Sequence, residues 1–282
     1  RNGVKEKVDK DFLYTILYII FITIIIISLL YILRFYKMSN EATKESQLLN
    51  EIDLETQEEA NNSSNDIETK NNEADGNTSK NIENNNIETT ERMLKVKKLQ
   101  KENDDIVGWL EIEDTNINYP VLQGDDNEFY LNRNYKKEKS EKGSIFLDAK
   151  YNWNIPSNNL LIYGHNIING LMFQDLLKYE SQDFYKKHPN IRFTTEKDDK
   201  EYEIISVFKS RVYYKAEKNV FRYYDFINAK KEEDYMEFVK NAKKASIYDI
   251  EATAKYGDEL ITLVTCSYHI EDGRFVVIGR EK

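Results

Sequence analysis

The hydrophobic and polar positions divide the 282-residue chain into three regions. Residues 12–33 form one apolar run without a charged side chain, residues 34–91 are mostly polar, and residues 92–282 alternate short apolar runs with turns. This pattern predicts a membrane-length helix, a linker and a folded domain of about 190 residues, which is long enough to bury one core.

The apolar run at 12–33 is long enough to cross a membrane as a helix. At about 1.5 Å per residue it would measure about 33 Å, against a hydrocarbon core of about 30 Å. A buried core helix would show a polar stripe, and a cleaved secretory signal has a shorter apolar region followed by small residues. Because Arg34 and Lys37 follow the run here, we predict a retained transmembrane anchor.

Basic residues on the two sides of this run predict its orientation. Four precede it and two follow it, namely Arg1, Lys5, Lys7 and Lys10, then Arg34 and Lys37. By the positive-inside bias we expect residues 1–11 in the cytoplasm and residues 92–282 outside the cell, on a single-pass protein of the cell membrane.

The polar region at 34–91 predicts a disordered, acidic, Asn- and Glu-rich linker. Between Ser39 and Glu91 there are 14 Asp and Glu against 3 Lys, a local balance of −11, and too few apolar residues to offset chain entropy. The whole chain carries −10, so the remainder sums to about +1. Without a strongly basic domain, we expect no nucleic-acid partner.

The region from Arg92 onward predicts a mainly β fold with helical insertions. An amphipathic helix is expected at 92–102, and further helical intervals at 171–179 and 230–245. Eight apolar runs of strand length are 106–112, 117–121, 144–147, 160–163, 191–194, 202–208, 260–265 and 275–279. Short strands without strict strand–helix alternation favour a β-barrel or a sandwich.

The chain has few residues that could support metal or cofactor chemistry. One cysteine excludes an intrachain disulfide framework and a thiolate zinc site, and three histidines leave little for a metal centre. Phosphate-binding loops and the HExxH, GxSxG and EF-hand patterns are missing from the sequence. We therefore expect neither a metal nor a cofactor.

The single cysteine, Cys266, is the candidate nucleophile. A lone cysteine is more often a small buried hydrophobe. Cys266 instead ends an apolar run between the polar residues Thr265 and Ser267, and an unpaired thiol outside the cell is open to oxidation unless it has a use. These features favour a reactive thiol.

A thiol nucleophile needs a proton partner and a group that stabilises an oxyanion. His165 follows the buried run at 160–163, and His269 lies three residues after Cys266. Spacing favours His165 but leaves both histidines open. Arg274 begins the next predicted strand, so an antiparallel hairpin would return it to the same sheet end as Cys266, where its guanidinium can donate to an oxyanion.

Together these residues resemble the sortases, the membrane-anchored cysteine transpeptidases of Gram-positive bacteria. The sortase signature TLxTC stands at residues 262–266 as TLVTC, Arg274 lies eight residues beyond the cysteine, and the family histidine falls in the segment YGHN at 163–166. Further segments resemble class B sortases in particular, and they are 119–123, 126–131, 143–148, 172–176 and the helical interval at 230–245.

The resemblance covers residues 92–282 and implies a fold and a site. The fold would be an eight-stranded β-barrel with peripheral helices, including an N-terminal helix and a long helix before the cysteine strand. The catalytic trio would be His165, Cys266 and Arg274, which decides between the two histidines in favour of the first. The substrate groove would be lined by Asn127, Leu131, Tyr163 and Thr265.

The resemblance also implies a reaction. Class B sortases cleave an NPQTN-like, Pro-x-Thr sorting motif of secreted proteins after its threonine and hold the protein as a thioester. They then transfer it to an amine of a peptidoglycan precursor such as lipid II or its stem peptide. Two alternatives remain: a purely hydrolytic cell-wall cysteine peptidase, and a non-catalytic barrel that binds wall ligands.

Overall fold

The computed structural model describes residues 10–68, 78–155, 158–167 and 170–282. The chain divides into two compact units, Arg1–Asn50 and Glu51–Lys282. The first helix, α1 (Lys10–Glu68), begins in the first unit and contains the candidate span Phe12–Glu41, whose most apolar 18 residues have a mean hydropathy of 3.0. Its most apolar part is not buried against other described residues, and it is long and apolar enough to cross a membrane.

The described residues of the polar region are helical, and the disordered linker expected at 34–91 stays a prediction. Helix α1 continues to Glu68, and a second helix, α2 (Thr78–Glu102), resumes after a gap that lies outside the described residues. Residues 34–91 contain no proline and only one glycine, Gly76, while Glu, Gln, Lys and Leu are good helix formers. Local propensity therefore forms helix even where composition cannot form a core. The role of this region as a spacer stays a prediction, as do the boundaries of the four predicted segments at 1–11, 12–33, 34–91 and 92–282.

The end of α2 contains the amphipathic helix predicted at 92–102. Its apolar residues Val96 and Leu99 are fully buried, and α2 packs on the first strand of the barrel. Arg92 Nη2 donates to Asp199 at 2.7 Å, and Thr89 Oγ1 donates to the same carboxylate at 3.4 Å. Apolar packing and the ion pair between Arg92 and Asp199 therefore hold the helix against the barrel.

Eight strands close into one barrel, which confirms the predicted fold. The strands among the described residues are β1 (Ile106–Glu111), β2 (Asn118–Leu122), β3 (Ile145–Leu147), β4 (Asn159–Tyr163), β5 (Asn166–Ile167), β6 (Leu171–Met172), β7 (Asn190–Thr194), β8 (Asp199–Arg211), β9 (Leu260–Cys266) and β10 (Gly273–Glu281). The barrel order is β1-β2-β3-β4-β9-β10-β8-β7, and β5 and β6 form a separate hairpin. Each of the eight predicted apolar runs contributes a barrel strand.

The peripheral helices include α3 (Gln182–Lys187) and α4 (Glu232–Ala245), the long helix that was predicted before the cysteine strand. Three 3-10 helices lie at Phe129–Asn132, Gln174–Glu180 and Tyr223–Asp225. The helical interval predicted at 171–179 is instead strand β6 followed by a 3-10 helix. A nine-residue interval is too short for its apolar pattern to distinguish these elements.

The pairing of β4 with β9 positions the candidate site. The two strands are parallel, with Tyr163 opposite Val264. Two residues further along this register, His165 and Cys266 leave the ends of neighbouring strands on the same side of the barrel. The carboxyl ends of parallel strands thus bring together two residues that are far apart in the sequence.

Candidate active site

The loop that contains His165 is held at the end of β9 by three hydrogen bonds. The Gly164 amide donates to the Val264 carbonyl at 3.1 Å, and Thr265 Oγ1 donates to the Gly164 carbonyl at 2.8 Å. Asn166 Nδ2 donates to the Cys266 carbonyl at 3.0 Å. The loop therefore has a fixed position relative to the cysteine strand.

Gly164 lets this loop pack closely. A Cβ at this position would collide with the Ile145 side chain and would lie 2.7 Å from the Phe173 ring. The Phe173 amide also donates to the His165 carbonyl at 2.9 Å. Residue 164 is thus a glycine because the barrel and the following 3-10 segment leave no room for a side chain.

The imidazole of His165 has two polar partners. Its Nε2 lies 2.8 Å from the Leu131 carbonyl. Because a carbonyl only accepts, Nε2 carries a proton in this contact. Hydrogen bonding to Cys266 raises the pKa of His165, and the Leu131 carbonyl adds to this effect, against the opposing effect of burial.

The Leu131 carbonyl reaches the histidine because Gly143 lies beside it. Gly143 has φ +61°, and a Cβ there would lie 2.6 Å from the Leu131 oxygen and 2.8 Å from the Tyr130 oxygen. The Ser144 amide holds the Tyr130 carbonyl at 2.9 Å. Only glycine combines this backbone conformation with so close an approach.

Cys266 is half-buried at the end of β9. Hydrogen bonding with His165 lowers the pKa of the Cys266 thiol, and the positive charge of Arg274 lowers it further, while burial and Asp272 oppose the change. The pKa of the thiol is therefore lowered while that of the imidazole is raised. Both directions favour a thiolate beside an imidazolium, which is the nucleophilic form of the pair.

Arg274 is the direct cross-strand neighbour of Cys266 in the antiparallel pair of β9 and β10. Opposite residues in such a pair project to the same face of the sheet. Nη1 of Arg274 donates to the Gly273 carbonyl at 3.0 Å and to the Asp272 carbonyl at 3.2 Å. These bonds hold the guanidinium while Nε and Nη2 keep donors for a substrate oxygen.

All seven residues predicted for the site line one groove of about 350 Å³. The complete lining is Asn127, Leu131, Phe146, Asp148, Lys150, Tyr163, Gly164, His165, Val212, Tyr223, Tyr224, Val264, Thr265, Cys266 and Arg274. Thr265 differs from the other predicted residues because it is only 1% exposed and its hydroxyl is already used by Gly164.

His269, the other histidine that spacing left open, is not among the described residues that line this groove. Its Nδ1 lies 2.9 Å from Ser267 Oγ in the connection between β9 and β10. The structure thus places His165, and not His269, in the groove with Cys266.

Several groove residues were missed by the sequence reasoning. Asp148 ends the segment at 143–148, which marks it only as part of a family pattern. Tyr223 and Tyr224 come from a 3-10 helix between β8 and α4, and their pairing in the sequence has no periodic signal. Within the described residues, no group of three His, Cys, Asp or Glu side chains could hold a metal ion.

This chain is similar to known proteins both in sequence and in structure. The sortase domain family matches residues 110–282. Sortase B of Listeria monocytogenes is 37% identical over 188 residues, which cover 66% of this chain and 73% of that protein. Sortase B of Staphylococcus aureus is 33% identical over 186 residues, which cover 65% of this chain and 73% of that protein.

Two solved structures show the same similarity. The Staphylococcus aureus sortase B–substrate complex has a TM-score of 0.60 at 31% identity, and the match covers 67% of this chain and 85% of that one. Sortase B of Clostridium perfringens has a TM-score of 0.59 at 31% identity, and the match covers 66% of this chain and 98% of that one. The similarity therefore extends over the barrel that carries the groove.

Proposed function

The chain belongs to the sortase family of cysteine transpeptidases, as its motifs predicted, and we propose that it attaches secreted proteins to the cell wall. In this proposal it cleaves an NPQTN-like, Pro-x-Thr sorting motif after the threonine. It then transfers the protein to an amine of a peptidoglycan precursor, such as lipid II or its stem peptide. The observation that carries the proposal is the single groove in which Cys266, His165 and Arg274 meet.

The first half of the reaction forms a thioester. The Cys266 thiolate attacks the threonine carbonyl carbon, and the new oxyanion accepts hydrogen bonds from the Arg274 guanidinium. When the tetrahedral intermediate collapses, the C–N bond breaks and the imidazolium of His165 gives its proton to the leaving amine. The lowered pKa of the thiol and the raised pKa of the imidazole support these two roles.

The second half transfers the acyl group. An incoming amine attacks the thioester carbon, His165 accepts a proton from that amine, and the C–S bond breaks to return the thiolate. Water can take the place of the amine, which gives hydrolysis as the competing outcome. A transpeptidase is distinguished from a peptidase by its preference for the amine.

The groove supports the binding of an extended peptide. Asn127, Leu131, Tyr163 and Thr265 all line it, and Thr265 does so from β9. We propose that these residues bind the sorting motif beside the trio. A solved structure of the related Staphylococcus aureus protein is a sortase B–substrate complex, which supports substrate binding by this fold.

The N-terminal helix supports a location at the cell membrane. The stretch Phe12–Glu41 is long and apolar enough to span a bilayer, and the basic residues before it favour a cytoplasmic N-terminus. In the proposal the barrel is outside the cell, where secreted proteins and peptidoglycan precursors are present. Protease protection of the barrel in intact cells, but not in inverted vesicles, would contradict this orientation.

A peptide cleavage assay tests the proposed function. The full chain in detergent micelles is given fluorogenic peptides with a Pro-x-Thr motif, with and without oligoglycine. We expect cleavage after threonine, a ligated product in the presence of the amine, and loss of both in Cys266→Ala. Cleavage that never yields a ligated product would favour the hydrolytic peptidase. Wall binding that is unchanged in Cys266→Ala, without any cleavage, would favour the non-catalytic barrel.

A further inference from the structure

The groove contains a buried carboxylate that the proposed reaction does not use. Asp148 follows β3, is 2% exposed, and lines the groove wall. Its Oδ2 accepts from Asn127 Nδ2 at 2.9 Å and from the Tyr163 hydroxyl at 2.9 Å. Its Oδ1 accepts from the Lys150 backbone amide at 2.9 Å. All three donors are neutral groups, so the carboxylate organises hydrogen bonds and forms no ion pair with them.

Asp148 determines the orientation of the Asn127 amide. Asn127 Nδ2 donates to the carboxylate, while its Oδ1 accepts from the Ala149 backbone amide at 2.8 Å. A carboxylate only accepts and a backbone amide only donates, so the reverse orientation would break both bonds. One N–H and one oxygen lone pair of Asn127 then remain for a ligand. The N–H can donate to a carbonyl of a peptide main chain, and the oxygen can accept from one of its amides.

Asp148 also determines what Tyr163 presents to the groove. Burial raises the pKa of Tyr163, and the Asp148 carboxylate raises it further, so the hydroxyl keeps its proton. That proton is used in the bond to Asp148. The Tyr163 oxygen is therefore left as an acceptor for a donor in the groove.

We propose that Asp148 is a positioning residue, which fixes the donor and acceptor pattern of Asn127 and Tyr163 so that they bind the main chain of an extended peptide. The inference rests on the proposed function. Asp148 acts through its two neighbours, and main-chain recognition of this kind tolerates different side chains in the ligand. Asp148 therefore affects peptide binding and leaves the chemistry of Cys266 unchanged.

The variant Asp148→Asn tests this role because it keeps the shape of the side chain. One terminal oxygen becomes an NH2 group, which places a donor against the donors that the carboxylate held. We expect the KM for the Pro-x-Thr peptide to rise about tenfold, since Asn127 and Tyr163 lose the charged acceptor that orients them. The rate of Cys266 alkylation by iodoacetamide, which needs no peptide recognition, should not change. The test uses the full chain in detergent.

Double substitution separates positioning from a general structural effect. In an Asn127→Ala, Tyr163→Phe background, adding Asp148→Asn should raise KM no further, because the groups through which it acts are gone. Asp199→Asn is the matched control. Asp199 is also a buried carboxylate, but it lies at the start of β8, at the end of the barrel opposite the groove. It should lower the thermal midpoint and leave KM unchanged.

Several results would overturn the inference. One is an unchanged KM in Asp148→Asn, and another is a loss of alkylation rate in that variant that parallels the rise in KM. A third is a triple variant in which Asp148→Asn raises KM further, beyond the Asn127→Ala, Tyr163→Phe background. Should Asp148→Asn fail to fold, Asn127→Ala and Tyr163→Phe are compared with their double variant. Each should raise KM, and an unchanged KM in both would contradict the inference. A wild-type chain that cleaves no peptide would instead overturn the proposed function, and the inference with it.

Discussion

At the groove end of the barrel the titratable side chains face a cavity, whereas at the opposite end they are paired with one another. Among the described residues, Arg274 donates only to backbone carbonyls, and Asp148 accepts only from neutral groups. Cys266 and His165 interact mainly with each other and carry opposite pKa changes. The polar groups of Cys266, His165 and Arg274 are therefore available to a substrate, while Asp148 orders the side chains beside them.

At the opposite end, charge connects the strands. Asp199 bonds Arg92 at 2.7 Å and Arg192 at 3.1 Å, which joins α2, β7 and β8. Lys200 lies 3.2 Å from Glu259 and 3.3 Å from Glu281, next to the start of β9 and at the end of β10. The comparison indicates that one end of the barrel serves stability and the other serves chemistry, so substitutions at the two ends should affect different measurements.

The largest effect is expected at His165. His165→Ala removes the proton donor and acceptor, so kcat/KM for peptide cleavage should fall by about 10²- to 10⁴-fold. The thermal midpoint should stay close to that of the wild type, because the imidazole lies at the groove end. His269→Ala is the matched control and should keep its activity. An active His165→Ala beside an inactive His269→Ala would show that the assignment is wrong.

Substitution of Arg274 should have the next largest effect. Arg274→Ala removes the donors for the oxyanion, and kcat should fall by about 10²- to 10³-fold. Arg274→Lys keeps the charge but not the planar fork of donors, so it should recover only part of the loss. Steady-state kinetics on the same peptide would measure both. Full activity of Arg274→Lys would mean that charge alone is needed.

At the opposite end, Asp199→Asn should lower stability and spare activity. It leaves the two arginines without their carboxylate, at a cost of about 2 kcal/mol in the free energy of unfolding. For a domain of this size the thermal midpoint should fall by about 4–8 °C. Differential scanning fluorimetry and the peptide assay, run on the same sample below the transition, would measure the two effects. A loss of activity in the folded variant would contradict the separation of the two ends.

The smallest effect concerns the pH dependence of the thiol. Because the hydrogen bond with His165 and the charge of Arg274 lower the pKa of Cys266, its thiolate should form at a lower pH than it would without these groups. Alkylation should thus rise with pH through a lower midpoint in the wild type than in variants that lack them. His165→Ala removes the main cause of the lowering, so the midpoint should move to higher pH. A midpoint that does not move would contradict the coupling of the two groups.

Local patterns predicted the elements of this fold well. The eight apolar runs became the eight barrel strands, and the interval at 230–245 became α4, with Tyr235, Phe238, Val239 and Ala242 buried as their spacing required. For the polar region at 34–91 the disordered linker stays a prediction, because low apolar content predicts the lack of a core and does not exclude helix in the described residues. Strand β6 and the 3-10 helix after it were also missed, since elements of two and seven residues are too short to show a clear period.

The sequence by itself indicated the candidate nucleophile, the membrane-length helix and the strands, because each depends on residues that are neighbours along the chain. Only the tertiary structure decided that β4 and β9 pair in parallel, that His165 and not His269 enters the groove with Cys266, and that Asp148 orients Asn127 and Tyr163. These contacts join residues 15 to 101 positions apart. They arise from barrel closure, which a local pattern of hydrophobic and polar residues does not encode.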